Sequence, residues 1–392
     1  MVLRVFEVFV VFLRLGLTSF GGPIAHLGFF HNEFVIRKKW IDERAYADLV
    51  ALCQFLPGPA SSQVGIAIGL SRAGLVGAVA AWLGFTLPSA LILILLGFGI
   101  TRYGDYINGA WLHGLKVAAV AIVAQALWGM GTKLCPDKER VTIAIVGAVV
   151  MSVFSSVLIQ VLVIALGGII GWLYLRKAAD LPHVPLKVNV SRSVGAMFLA
   201  AFFLMLFCLP ILASAFPSQT LKLIDSFFRA GSLVFGGGHV VLPLLQSEVV
   251  PAGWISKDAF MAGYGAAQAI PGPLFTFSAY LGTVSTVPPA GWLGAFICLI
   301  AAFTPSFLLV IGALPFWEKL RKYNGIRYAM QGINAAVVGL LLSAFYNPVW
   351  TSAIHSPSDF GIALVGFLLL VFWKFPSWAV VLVSAVFGWV AK

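Results

Sequence analysis

The sequence predicts an all-α, polytopic membrane protein made of two homologous halves that are inverted relative to each other. Of its 392 residues, 60% are hydrophobic and only 10% are charged, whereas soluble domains carry about 25% charged residues. The apolar runs are long and poor in charge, which favours membrane helices over the alternating strands of a barrel. The same motifs also recur in the same order in both halves of the chain.

About 13 apolar segments follow one another along the chain at roughly 20 residues per span, and some are short or broken enough to be re-entrant. The most polar connection contains Asp180 and His183. We therefore expect a first transmembrane repeat at 1–176, a linker and connecting span at 177–213, and a second transmembrane repeat at 214–392. An odd number of spans before the second repeat predicts inverted repeats around a substrate site near the membrane midplane.

The internal repeat is visible at an offset of 215 residues (235 − 20), which aligns the Phe-Gly-Gly sequences of the two halves. The aligned positions hold glycines, prolines and a few polar or charged side chains. At this offset, or with small gaps, the matches are Phe20-Gly21-Gly22 with Phe235-Gly236-Gly237, Arg14 with Arg229, Glu33 with Glu248, Gln54 with Gln268, and Pro57-Gly58-Pro59 with Pro271-Gly272-Pro273.

The two Pro-Gly-Pro sequences predict helix breaks inside the apolar segments 45–70 and 259–282. Backbone groups freed by such breaks must face protein or a water-filled cavity, and matched breaks in two halves are the best sequence indication of a transport site. The helices after the breaks begin with Ser61, Ser62 and Thr276. Their hydroxyls and the positive ends of the helix dipoles would attract an anion; the alternative is a structural kink.

The Phe-Gly-Gly sequences end an apolar run in each half. Their glycines would allow a tight turn or the close approach of a ligand, or simply close helix packing in the membrane. The candidate ligand-contacting glycines are Gly21, Gly22, Gly236, Gly237 and Gly238.

Cations inside the apolar segments are further candidates. Arginine in a span is costly and is a functional candidate by default, and its planar guanidinium suits bidentate binding of an oxyanion. Arg14 and Arg229 could therefore bind substrate, or could snorkel to the interface or pair with an acid such as Glu7 or Asp225. Lys116 could be a substrate ligand or a snorkelling side chain.

Three other titratable side chains are candidates for ion coupling or anion binding. Glu33 and Glu248 occupy matched positions and could carry protons, although each lies in a polar stretch that could simply be solvated. His239 lies beside a glycine turn, where it could bind an anion, titrate, or play a structural role.

Several classes of function are disfavoured. The formal charge of +11 would suggest nucleic acid in a soluble protein, but the basic residues cluster at span ends and loops, as topogenic and lipid-facing charges do. The four cysteines are scattered, and phosphate-loop, metal-binding and hydrolase motifs are absent. We expect membrane lipid as a partner, no nucleic acid, no metal or other cofactor, and no catalytic residue.

The combined motifs, FGGP with a downstream glutamate, QFLPGP, FGGGH and AIPGP, resemble the chromate ion transporter family in its long, two-domain bacterial form. The resemblance covers essentially the whole chain. It implies a multi-pass protein of the inner (plasma) membrane that exports chromate from the cytoplasm, driven by an ion gradient, with sulfate as a competing anion. The family motifs fall on Phe20 to Pro23, Gln54 to Pro59, Phe235 to His239 and Gln268 to Pro273.

The resulting hypothesis is alternating access, with a dianion held between the Pro-Gly-Pro breaks by Ser61, Ser62, Thr276 and the arginines. One alternative is an uptake permease or channel for sulfate or another anion. A second is an integral membrane enzyme, for which the sequence shows no convincing nucleophile or redox group. The sequence alone leaves open the membrane orientation, the coupling ion and whether the protein forms a homodimer.

Overall fold

The computed structural model describes residues 2–20, 22–103, 109–154, 156–175, 190–235, 238–320 and 323–390. These residues form α-helices with short π- and 3₁₀-helical segments and no strand, so the predicted all-α class is confirmed. The first half comprises α1 (Val2–Thr18), α2 (Gly22–Phe30), α3 (Glu43–Phe55), α4 (Ala60–Tyr103), α5 (Gly109–Leu134), α6 (Lys138–Val153) and α7 (Val157–Tyr174), and α8 (Arg192–Ala215) connects the halves. The second comprises α9 (Gln219–Ser232), α10 (Val241–Val249), α11 (Lys257–Ala267), α12 (Phe277–Val284), α13 (Gly291–Ala313), α14 (Trp317–Leu320), α15 (Asn324–Ala344), α16 (Thr351–Ala353), α17 (Pro357–Val371) and α18 (Ser377–Val390).

The first half begins with a helix hairpin whose tip lies between the end of α1 at Thr18 and the start of α2 at Gly22; we call it the Phe-Gly-Gly tip after the sequence there. A π-helical segment, His31–Arg37, continues α2. The ring of Phe12 in α1 packs against Phe30 and Phe34, and Glu7 lies 3.3 Å from the Nζ of Lys38. The chain therefore turns after α1 and returns alongside it, so that both ends of this hairpin lie on the same face of the protein.

A second hairpin has the first Pro-Gly-Pro sequence at its tip. It consists of α3 and the short arm of α4 (60–72), and Arg72 at the end of this arm lies 3.1 Å from Glu7 at the base of the first hairpin. The helix is broken at Ala73 and Gly74. Gly69 and Gly77 then touch, although a continuous helix would hold them about 12 Å apart. The chain therefore reverses again, and the long arm of α4 (75–103) crosses the structure.

The second half repeats this arrangement. The hydroxyl of Ser226 in α9 donates to Glu248 in α10 at 2.7 Å, and the hydroxyl of Tyr280 in α12 donates to the Ala259 carbonyl in α11 at 2.9 Å. Both interrupted segments, 45–70 and 259–282, are thus hairpins instead of single spans. The α2 segment, which the sequence analysis does not count among the spans, completes the other hairpin of the first half.

The directions of the helices after the hairpins confirm that the repeats are inverted. Short connections make α5, α6 and α7 alternate in direction, so α7 runs in the direction of α5. In α7, Gly171 packs on Tyr328 and Gly167 on Ala336, which places α7 antiparallel to α15. The helix α15 therefore runs opposite to α5, its counterpart in the first repeat.

The helix α17 gives the same result. His113 in α5 contacts Asp359 at the start of α17, and Ala121 contacts Gly366 further along both helices, so α17 runs parallel to α5. Each half thus places two helices around the central helix of the other half: α6 and α7 flank α15, while α17 and α18 flank α5. We call this arrangement the clasp.

Five helical stretches are long and apolar enough to cross a membrane: Ala60–Arg102, His113–Leu134, Arg192–Ala215, Gly291–Phe316 and Asn324–Ala353. The helix α8 is the least buried of them, and its Leu204, Phe207 and Ile211 face outward, as lipid-facing side chains do. The exact number of segments and the boundaries at 176 and 213 stay predictions, and residues 177–189 of the linker lie outside the described residues.

Glycines at matched positions let the first helix of each half pack closely on the long helix of the same half: α1 packs on α4, and α9 packs on α13. Gly16 in α1 faces the Phe85 carbonyl of α4, and Gly231 in α9 faces the Ala302 carbonyl of α13. A Cβ atom at Gly231 would overlap that carbonyl oxygen, so the space accepts only glycine without a shift of the helices.

We expect Gly231→Ala to destabilise the protein, because overpacking a close contact typically costs about 1–3 kcal/mol. Thermal unfolding in detergent, followed by size-exclusion chromatography, should show a lower midpoint. Gly129→Ala in α5 is the matched control, because a Cβ atom there has open space around it. An unchanged midpoint for Gly231→Ala would contradict the tight α9–α13 contact.

Candidate functional site

The four hairpin tips meet through two reciprocal backbone hydrogen bonds. The amide of Gly58, in the first Pro-Gly-Pro tip, donates to the carbonyl of Val234 at 2.7 Å, and the amide of Gly272 donates to the carbonyl of Ser19 at 3.0 Å. Ser19 and Val234 are 215 residues apart, and each directly precedes a Phe-Gly-Gly sequence. Each Pro-Gly-Pro tip is therefore bonded to the Phe-Gly-Gly tip of the opposite half.

A serine from the opposite half also faces each Pro-Gly-Pro tip. A Cβ atom at Gly58 would lie 3.0 Å from the hydroxyl of Ser306, and one at Gly272 would lie 2.8 Å from the hydroxyl of Ser89. The two glycines have φ angles of +122° and +102°, which L-residues with a side chain rarely adopt. Ser89 stands at the middle of the long arm of α4, so the tips meet at mid-depth of the spans.

His26 links two tip elements of the first half. Its Nε2 lies 3.2 Å from the Ser19 carbonyl oxygen and its Nδ1 lies 3.3 Å from the Ser61 hydroxyl, while the ring packs edge-on against Phe85. The histidine is 1% exposed. The side chain of Gln63 makes a similar link, because its Nε2 donates to the Pro57 carbonyl at 2.6 Å.

Buried polar atoms without a hydrogen-bond partner are concentrated at this junction. Within the described residues they include Ser19 Oγ, Ser62 Oγ, Gln63 Oε1, Thr86 Oγ1 and Ser306 Oγ, and each of these residues is at most 3% exposed. Buried polar groups are normally hydrogen-bonded, and exceptions need an explanation. Hydroxyls of this kind, on residues at and beside the tips, are donors that could bind the oxygens of an anion. We call these residues, with His26 and Ser61, the tip cluster.

The structure places the other predicted tip residues in different surroundings. The hydroxyl of Thr276 donates to the Pro273 carbonyl at 2.7 Å and is buried. Gln54 is exposed. The carbonyl of Gln268 accepts from Ser377 at 3.0 Å, and its side-chain Nε2 has no partner among the described residues.

The described part of the chain includes only some of the remaining candidates at the glycine-rich tips. Gly22 has a φ angle of +77° at the first Phe-Gly-Gly tip, and Pro271 is buried at the second Pro-Gly-Pro tip. Gly238 opens a 3₁₀-helical turn in which His239 Nδ1 lies 2.9 Å from the Tyr264 hydroxyl. The predicted residues Gly21, Gly236 and Gly237 lie outside the described residues.

The intramembrane cations are engaged by carboxylates. Lys116 Nζ lies 2.8 Å from Asp258 Oδ1. Arg14 Nη2 lies 4.0 Å from Glu33 Oε2, and Arg229 Nη2 lies 3.2 Å from Glu248 Oε2. The predicted arginines and the predicted coupling glutamates are thus brought together pairwise, each pair within the first hairpin of its own half.

Sequence analysis misses Ser19, His26, Gln63, Thr86, Ser89 and Ser306. A signal was present for Ser89 and Ser306, because both end a Phe-Thr-Pro-Ser-like sequence that recurs in the two halves. His26 carries no such signal, since the matching position in the second half is Val241.

The two halves match one family separately. Residues 6–172 and residues 221–389 each match the sequence model of the chromate transporter family. The chain belongs to the chromate transporter family. Both matches cover the hairpins and the clasp helices, so the family pattern includes the tips described above.

Similar proteins extend over nearly the whole chain. The chromate transport protein of Pseudomonas aeruginosa is 27% identical over 98% of this chain and 91% of its own length. The probable chromate transport protein of Synechococcus elongatus is 29% identical over 96% and 93%. The uncharacterized transporter YwrA of Bacillus subtilis is 32% identical over 43% of this chain but 93% of its own length, so it corresponds to about one repeat. No solved structure matches this chain.

For this member of the family we expect Gly58→Ala to disrupt the tips, because a Cβ atom would lie 2.6 Å from Gln63 Nε2 at a φ angle of +122°. Strain of this kind typically costs about 1–3 kcal/mol, and amide hydrogen exchange should become faster in the tip segments. Gly253→Ala is the control, since it also has a positive φ angle but no neighbour within 4 Å. Equal exchange in both variants would argue against a tight tip junction.

Proposed function

We propose that the protein is a secondary active transporter that exports chromate from the cytoplasm by alternating access, driven by an ion gradient, with the anion bound at the tip cluster. The observation that carries the proposal is the set of buried hydroxyls without partners at the meeting point of the tips. The family membership supports chromate as the substrate.

The chemistry of the tip cluster suits a tetrahedral oxyanion. Chromate is a dianion whose four oxygens accept hydrogen bonds, and the tip cluster contains unpartnered hydroxyls from both halves, Ser62 from the first and Ser306 from the second. The short arm of α4 begins at Ala60, so its free amides and its positive dipole end add further stabilisation. Sulfate has the same shape and charge, and we therefore propose that it competes for this site.

The reciprocal tip bonds supply a route for alternating access. Each bond joins one tip of the first half to one tip of the second half, so a shift of one half against the other strains both. Because the repeats are inverted, the motion that opens a path on one face closes the equivalent path on the other. The tip cluster is closed to solvent in this structure, which corresponds to an occluded state.

The distribution of basic residues supports an orientation once the hairpins are assigned. Cations gather on the face that holds the hairpin bases of the first half, the α5–α6 connection, the start of α8 and the α13–α15 connection, whereas few lie on the opposite face. By the positive-inside rule we propose that the first face is cytoplasmic. Among the described residues, the cations of the first face include Arg4, Arg37, Lys38, Lys39, Arg44, Arg72, Lys133, Lys138, Arg140, Arg192, Lys319 and Arg327, and those of the second include Arg102, Lys222 and Lys257.

This orientation predicts which single cysteines react from outside intact cells. In a background with the native cysteines replaced by serine, Ser358→Cys should react with a membrane-impermeant maleimide in intact cells. Lys138→Cys should react only after permeabilisation. Both positions are exposed. The reverse labelling pattern would contradict the proposed orientation and place the first face outside the cell.

The transport experiment uses inside-out vesicles of the bacterial inner membrane, labelled chromate and a proton gradient. We expect gradient-driven accumulation that excess sulfate inhibits. Ser62→Ala and Ser306→Ala each remove a hydrogen bond to a charged ligand, about 1.5–3 kcal/mol, so the apparent KM for chromate should rise roughly tenfold or more.

Ser384→Ala is the control for this experiment, because Ser384 is a buried serine of α18 that lies beside Gly114 in α5 and is not part of the tip cluster. Chromate flux that does not depend on the proton gradient would indicate a channel. Movement of sulfate without chromate would favour a permease for another anion. Unchanged KM values in both serine variants would remove the tip cluster from the binding site.

A further inference from the structure

Two ion-pair clusters occupy matched positions in the two halves. Arg14 with Glu33 and Arg229 with Glu248 are related by the same offset of 215 residues. Each cluster lies between the base and the tip of its first hairpin. Because the repeats are inverted, the two clusters face opposite sides of the membrane. The first-half cluster faces the side on which the bases of the first-half hairpins lie, and the second-half cluster faces the other side.

The two clusters differ in one charged residue each. In the first half, Arg37 Nη1 lies 3.1 Å from Glu33 Oε2, so two arginines surround one glutamate. In the second half, Asp225 Oδ2 lies 2.7 Å from Arg229 Nη2, so two acids surround one arginine. In their ionised forms the first cluster has a net charge of +1 and the second a net charge of −1.

These added residues lie outside the repeated pair. At the same offset, Asp225 corresponds to Val10 and Arg37 corresponds to Ala252. The opposite charges are therefore specific to each half, and they break the symmetry that the shared Arg–Glu pair would otherwise preserve.

The clusters also differ in accessibility. The Arg14 side chain is 59% exposed and 4.0 Å from its glutamate, whereas the Arg229 side chain is 25% exposed and contacts two carboxylates. The hydroxyl of Ser226 further fixes Glu248 at 2.7 Å. Arg14 is therefore paired more loosely with its glutamate than Arg229 is with its two carboxylates.

We propose that the opposite charges of the two clusters give the protein a higher apparent affinity for the anion on the cytoplasmic face than on the outer face, which favours export when the ion gradient drives it. The positive cluster captures the dianion on the cytoplasmic side, and the negative cluster disfavours its return from outside. This inference rests on the proposed function. Arg14 is five residues from Ser19 at the tip, about 7.5 Å along a helix, and low-dielectric walls focus the field of such charges.

The inference is tested by measuring the apparent KM for labelled chromate on each face, with inside-out and right-side-out vesicles. At about 10 Å and an intermediate dielectric, one net charge changes the binding of a dianion roughly tenfold. We expect Asp225→Asn to lower the KM on the outer face by up to about tenfold. Arg37→Gln should raise the KM on the cytoplasmic face by a similar factor.

Matched variants separate charge from packing. Asp225→Glu retains the charge and should keep the wild-type ratio of the two KM values. Ser226→Ala removes a hydrogen bond within the second cluster without changing its charge, and it should also keep the ratio. Arg44→Gln removes a cation from the same face as Arg37 but outside the cluster, and it should leave the ratio unchanged.

A charge exchange gives the decisive result. The triple variant Val10→Asp, Arg37→Gln and Asp225→Val adds an aspartate to the first cluster, removes Arg37 from it, and removes Asp225 from the second cluster. The first cluster then becomes the more negative one, so the face with the lower KM should become the outer one. Wild-type ratios in this variant and in Asp225→Asn would overturn the inference while leaving chromate transport intact. Absence of chromate flux in the wild type, on either face, would instead reject the proposed function.

Discussion

Two backbone hydrogen bonds, from Gly58 to Val234 and from Gly272 to Ser19, determine how the rest of the structure is arranged. Each requires that a Pro-Gly-Pro tip of one half reach a Phe-Gly-Gly tip of the other at mid-depth. That requirement explains the broken segments, because a hairpin brings free amides and carbonyls to this depth while the surrounding protein keeps them away from lipid. It also explains why the opposite serines, Ser89 and Ser306, stand where they do on the long helices.

Much of the fold could be predicted from local sequence, since composition and the spacing of glycine and proline are local properties. The repeated motifs predicted two homologous halves, and the odd number of spans counted before the second repeat predicted their opposite orientations. The breaks at the Pro-Gly-Pro sequences were predicted, but which broken segments turn back was left open, because two helices of about half the spanning length have the same total length and hydropathy as one span. Residues 45–70 illustrate this, since α3 and the short arm of α4 together resemble a single membrane helix.

The candidate site likewise contains some residues that the sequence identifies and others that only the structure places there. Ser61 and Ser62 were found because they directly follow a break, whereas Ser306 reaches the same place only through the packing of the other half. His26 has no counterpart in the repeat, so no internal comparison indicates it. The sequence named Asp225 as a possible partner of an intramembrane arginine, and the structure confirms its pair with Arg229. The glutamates that approach Arg14 and Arg229 were not assigned as their partners, since they lie on the returning arm of each hairpin. The unequal distribution of basic residues between the two membrane faces could be recognised only once the hairpin segments were no longer counted as membrane crossings.

The clasp has a consequence for how such a protein can be divided. Helices α6 and α7 pack on α15, and α17 and α18 pack on α5, so neither half completes its own helix packing. A chain of one repeat would leave the sides of its central helix uncovered and its tips without acceptors. It could form the same structure only with a second repeat inserted upside down beside it. The 392-residue chain therefore has the internal architecture of an antiparallel dimer whose subunits have been joined by α8.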